Sequence, residues 1–153
     1  MNEQPWKDAV AFKPDIVIIK LGTNDSKPQN WQYKDEFKQD LQQMITTLRP
    51  DLVQPVNKKG KKNKKAVIKN ENPKIILCTP IPALKSSWKI NNTIIEKEII
   101  PIQQEVAKEF NLQVIDLYTL FGTDPKNLLD DGIHPNMNGA KKMTQIIADA
   151  IKQ

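Results

Sequence analysis

Residues 15–21, DIVIIKL, form a nearly unbroken apolar run rich in β-branched side chains, bracketed by Pro14 and Gly22. A run of that length and composition reads as a strand buried on both faces, which is the condition of strands in parallel sheets. Residues 74–79, KIILCT, repeat the pattern and stop at Pro80, and 112–117, LQVIDL, supply a third run. Between and after these runs the apolar spacing changes. Phe37, Leu41, Met44, Ile45 and Leu48 line one helical face, and Pro50 closes that helix. Ile95, Ile99, Ile102, Val106 and Phe110 line another, within which Pro101 must either kink the helix or begin a second one. Met143, Ile146, Ile147, Ala150 and Ile151 mark a C-terminal helix expected to begin near Asn138 as its cap.

Strand alternating with helix three times is the pattern of an α/β layered fold around a parallel sheet. In such sheets ligands bind beyond the carboxyl ends of the strands. The loops of interest are therefore LGTNDSKPQNW, TPIPALKSSW, and the path from Asp116 to DDGIHP. At 153 residues, a single domain spanning 1–153 is expected.

Composition removes several classes of function. No stretch approaches the roughly 18 consecutive apolar residues of a membrane span, so no membrane partner is expected. The opening MNEQPWKDAV has neither a basic nor an apolar signal region, and localisation stays open. One Cys and one His exclude an internal disulfide and a closed zinc site of the usual Cys/His kind. The net charge of +5 is concentrated, because residues 57–74 hold eight lysines against the single acid Glu71. The Lys-rich loop, 57–73, contains no aromatic residue for base stacking and no arginine for bidentate phosphate contact. It reads as a solvated, flexible loop rather than a nucleic-acid site, with contact to polyanions as the competing reading.

Two short blocks carry chemistry. In Gly22-Thr23-Asn24-Asp25 the glycine lets the chain turn off the strand, and Asn24 offers an uncharged NH2 donor suited to an oxyanion. The same four residues equally describe a turn in which Asn24 and Asp25 bond their own backbone. In Asp131-Gly132-Ile133-His134-Pro135 an acid three residues before a histidine can orient the imidazole and support its charged form. A surface histidine held by a neighbouring carboxylate fits that block as well. Asp130 is a competing acid by adjacency, but the D-x-x-H spacing selects Asp131.

Together, in this order and on these loops, the two blocks resemble the SGNH hydrolases, also called GDSL-type esterases. The string IIKLGTNDSKPQNW is similar to a bacterial subgroup that includes esterases deacetylating carbohydrates. The resemblance runs from about Trp6 to the C-terminus. It implies a flavodoxin-like three-layer α/β/α sandwich with a parallel sheet and hydrolysis through an acyl-serine. In the complete enzyme His134 would be general base, Asp131 its orienting acid and Asn24 an oxyanion donor, with Gly22 and Asp25 forming the supporting turn. No metal or organic cofactor is implied, and the substrate would be a small-molecule or carbohydrate ester. Trp31 and Trp88 lie on the loops after the first two strands; each reads as packing or as a stacking surface for a sugar.

The family's Gly-Asp-Ser nucleophile block has no counterpart here. The serines are Ser26, Ser86 and Ser87, none of them in such a setting. The expectation is that the chain corresponds to the C-terminal portion of an esterase, lacks the N-terminal strands and is inactive alone, and whether Met1 is the true start is open. It follows that strand 15–21 is an open edge prone to self-association. The rival reading is a non-catalytic relative that acts as a binding or interaction module through its lysine loop.

Overall fold

The computed structural model describes residues 4–52 and 72–152. Residues 57–71 of the lysine loop lie outside the described residues. Three strands, β1 (Ile16–Ile19), β2 (Lys74–Cys78) and β3 (Gln113–Ile115), form a parallel sheet in that spatial order. The register sets Ile18 beside Ile76 and Leu77 beside Val114.

Each face of the sheet carries helices, because side chains alternate across a strand. On one face Ile19, Ile75 and Leu77 pack with Leu41, Ile45 and Leu48, and with Val106 and Ala107. Those helical residues belong to α2 (Lys34–Leu48) and α3 (Ile100–Phe110), and Trp6 and Val10 of α1 (Gln4–Ala11) complete the layer. On the other face Ile76, Cys78 and Ile115 meet α4 (Leu117–Phe121) and α5 (Met137–Ile151), through Leu117, Phe121, Met143 and Ile147. The result is the α/β layering around a parallel sheet expected from the alternating apolar runs, in the α/β/α arrangement that the family resemblance implies.

Three details differ from the sequence reading, and a fourth, at Pro101, decides between the two outcomes it left open. β1 is not buried on both faces: Ile16 is 43% and Ile18 37% exposed. These two share the face of Ile76, but α4 and α5 cover β2 and β3, and β1 lies at the sheet's edge. The third strand ends at Ile115, after which the Asp116 carboxylate accepts the Thr119 N–H and caps α4. Helix α5 is capped by Asn136 rather than Asn138, its side chain accepting from the Asn138 and Gly139 N–H groups. Ahead of Pro101 the backbone runs through an α-turn at Asn92–Ile94 and a π-helical turn at Ile95–Ile99. Pro101 then sits in the first turn of α3, where its missing N–H has no helical partner to lose.

A third apolar cluster lies beyond the carboxyl ends of the strands. Trp31, Ala83, Ile90, Ile95, Ile99 and Ile133 are buried together there. Among the described residues no helix is long and apolar enough to cross a membrane.

Candidate active site

The loop leaving β1 is held by its own side chains. Asp25 Oδ2 accepts the Gly22 N–H at 3.1 Å, and Ser26 Oγ donates to the Thr23 carbonyl at 2.8 Å. Gly22 adopts φ 111°, and a Cβ there would fall 2.6 Å from Ile99 Cγ2, so both the turn and the close approach demand glycine. The Asn24 carbonyl accepts from Asn30 Nδ2 at 2.8 Å, which fixes its backbone while its side chain is exposed. The turn reading of this block is met at Asp25, whose side chain bonds the loop's own backbone. Asp25 makes the turn, and the turn presents Asn24.

The loop before α5 is built around one carboxylate. Asp131 Oδ1 accepts the N–H groups of Ile133 at 2.8 Å and His134 at 2.9 Å, and Oδ2 lies 2.7 Å from His134 Nδ1. The same aspartate thus shapes its own turn and orients the imidazole. Hydrogen bonds favour the ionised form, so the backbone N–H of His134 first, then the imidazole and the Ile133 N–H, bring the Asp131 carboxyl from its ordinary 3.8 down to about 2. With Nδ1–H directed at Asp131, Nε2 is left as the free nitrogen, and among the described residues it has no hydrogen-bond partner. Asp130 is placed differently: its carbonyl receives Lys85 Nζ at 2.7 Å. Gly132, at φ 70°, lets the chain pass Lys85, whose Cγ would lie 2.7 Å from an added Cβ.

Both loops open onto one groove of about 510 Å³, whose lining includes Gly22, Asn24, Asp25, Trp88 and His134. All five sequence-selected residues belong to these two loops, with Asn24 and His134 lining the same space. The groove holds an imidazole with a carboxylate partner and a neutral amide donor, a set suited to proton transfer beside a developing oxyanion. Among the described residues no group of three or more His, Cys, Asp and Glu side chains is placed to hold a metal ion.

A sequence profile of the GDSL-like lipase/acylhydrolase family matches residues 1–142. The chain belongs to this family. It is 66% identical, over 99% of its length, to an acetylxylan esterase of Xylanibacter ruminicola, of which it spans 32%. The lipase/acylhydrolase of Enterococcus faecalis superposes with a TM-score of 0.72 at 27% identity, covering 95% of this chain and 65% of that one. An acetylxylan esterase from Geobacillus stearothermophilus shares the fold, with a TM-score of 0.65 at 19% identity over 95% of this chain and 63% of that one. The chain thus spans about a third of the curated relative and just under two thirds of the solved structures.

Within this GDSL-family chain, three residues have a setting that the sequence did not specify. Ser26 is fully buried, and its Oγ accepts the Asn91 N–H at 3.0 Å while donating to Thr23, so it fastens the Asn24 loop to the loop after β2. The only signal in sequence was its position directly after GTND. Trp31 and Trp88, paired in the sequence reading, separate completely. Trp31 is buried, stacks edge-on against Phe37 and donates to Glu98 at 2.9 Å, whereas Trp88 is 69% exposed in the groove.

Proposed function

We propose that this chain is the portion of a GDSL-type acyl esterase that carries the acid–base pair and the side-chain oxyanion donor, and that the complete enzyme removes acetyl groups from carbohydrate. The reading is carried by one observation: the Asp131–His134 pair, at 2.7 Å, borders the groove that also presents Asn24. In the proposed mechanism a serine outside this chain attacks the ester carbonyl while His134 Nε2 takes its proton. Asp131 keeps the proton of Nδ1 in place and stabilises the imidazolium. Asn24 donates to the tetrahedral oxyanion, and the imidazolium then protonates the sugar oxygen as its bond to the acyl carbon breaks, releasing the sugar as an alcohol and leaving the acetyl-serine. A water molecule activated by His134 releases acetate and restores the serine.

The serines of the chain itself are poorly suited to attack. Ser26 Oγ is buried and engaged on both sides, and Ser86 and Ser87 open the turn that carries Trp88. The acetyl-carbohydrate substrate is supported by the 66% identical relative, which is an acetylxylan esterase. We further infer that 1–153 is one structural domain and that a second copy of the chain can pair along β1.

The deciding experiment compares hydrolysis of an activated acetate ester by the longer protein containing this chain, with and without His134→Ala. Loss of kcat by about 10⁶-fold is expected, the order seen when a serine hydrolase loses its general base. Unchanged turnover would remove His134 from the chemistry. The isolated chain should hydrolyse the ester no faster than background, and His134-dependent turnover by it would overturn the assignment of the nucleophile to another segment.

A further inference from the structure

The loop after β2 places its one large aromatic side chain in an unusual setting. Trp88 has φ 59° and Lys89 φ 61°, two consecutive left-handed residues with Cβ atoms. Such conformations are disfavoured and persist where the surroundings over-determine them, as at ligand clamps. Here the anchors are specific. Ala83 N–H donates to Asn92 Oδ1 at 2.9 Å, Leu84 N–H to the Gly132 carbonyl at 2.8 Å, and Asn91 N–H to Ser26 Oγ at 3.0 Å. Ile90 is buried two residues beyond Trp88. The loop is therefore pinned to both the Asn24 loop and the His134 loop, and the indole it holds is 69% exposed instead of folding into the adjacent cluster.

The neighbours of this indole discriminate among ligands. Besides Trp88 and apolar side chains such as Ile81, Ile90 and Ile133, the groove is lined by the charged Lys20, Asp25 and Lys27 and by the polar Asn24. A long acyl chain is best matched by a lining without charges, whereas this one includes Lys20, Asp25 and Lys27. A pyranose ring has one face of C–H groups and a rim of hydroxyls, and it matches a flat indole surrounded by donors and acceptors. The adjoining groove past Leu21 and Asp25, lined by Tyr33, Glu36 and Asp40, lacks both His134 and Asn24 and has no such relation to the acid–base pair.

We propose that Trp88 is the carbohydrate-binding platform of this site, stacking on a pyranose ring of the alcohol half of the ester and so selecting sugar esters over simple ones. The inference rests on the esterase reading of the groove and names its substrate contact. It is testable without turnover, on chain 1–153 itself, because unacetylated xylotetraose needs neither the ester nor the serine. Three tryptophans give three indole N–H resonances. Titration with xylotetraose should shift the Trp88 resonance saturably and leave those of Trp6 and Trp31 in place. Trp88→Ala should weaken binding about tenfold or more, and Trp88→Tyr, which keeps an aromatic face, should bind within about threefold of the parent. No saturable shift with tens of millimolar sugar, equal affinity in the Ala variant, or a Trp88 response to hexanoate but not to xylotetraose would overturn the proposal. Failure of the His134→Ala comparison would leave this titration unaffected, so the two readings fail separately.

Discussion

The Asn91 N–H donates to Ser26 Oγ across 3.0 Å, joining two loops 65 positions apart in the chain. Ser26 in turn donates to the Thr23 carbonyl, so a single hydroxyl connects the segment bearing Asn24 to the segment bearing Trp88. Ser26→Ala leaves the Asn91 N–H and the Thr23 carbonyl without this partner in a part-buried setting. A buried polar group left unpaired costs about 1–3 kcal/mol. Urea unfolding of the variant should show a loss within that range with an unchanged denaturant slope. A loss well below about 0.5 kcal/mol would mean that water replaces the hydroxyl without cost.

Acid should act on the Asp131–His134 loop in a defined window. The Asp131 carboxyl is held at about 2 in the folded chain against an ordinary 3.8. The folded state therefore binds this proton less readily than the unfolded state. The stabilisation from its three hydrogen bonds is complete above pH 3.8 and is lost as pH falls towards about 2. A carbon-13 titration of the Asp131 carboxyl should give a midpoint near 2, rising only in part in His134→Ala, since the first cause of the depression is the residue-134 backbone N–H, which alanine retains. A parent midpoint near 3.8 would contradict the bonding described here.

How far these features could be read in advance depended on how local their causes are. The three strands and the α2 and α5 faces follow from apolar spacing within each segment, and the structure places them where that spacing indicates. The Asp131–His134 contact was legible for the same reason, since both residues lie on one four-residue turn and bond mainly to each other. The exposure of Ile16 and Ile18 was not legible, because burial depends on which helices lie over an edge strand and the apolar run carries no such information. Asn136 and Asn138 are equally good capping residues in isolation. Asn136 is the cap in a loop where its Nδ2 also donates to the Lys126 and Leu128 carbonyls. Trp31 and Trp88 likewise each lie on a loop after a strand but have opposite surroundings, set by Glu98 and Phe37 around one and by the pinned loop under the other.

The edge of the sheet yields the last prediction. β1 pairs with β2 on one side only, so along its other side the backbone N–H and C=O groups meet no strand among the described residues. Beside that row Ile16, Ile18 and Leu21 are 43%, 37% and 45% exposed, with Lys20 as the one charged side chain among them. An apolar edge of this kind templates pairing with another strand, and natural edges are commonly blunted by lysine. Chain 1–153 should therefore associate with concentration in sedimentation velocity, and Ile16→Lys should weaken that association by roughly tenfold or more by adding charge at the edge. Because Ile16 is already half exposed, its replacement should change unfolding stability by no more than about 1 kcal/mol. Loss of association would then report the edge and not the fold, while a parent chain that sediments as a monomer at all concentrations would show that β1 does not recruit a second copy.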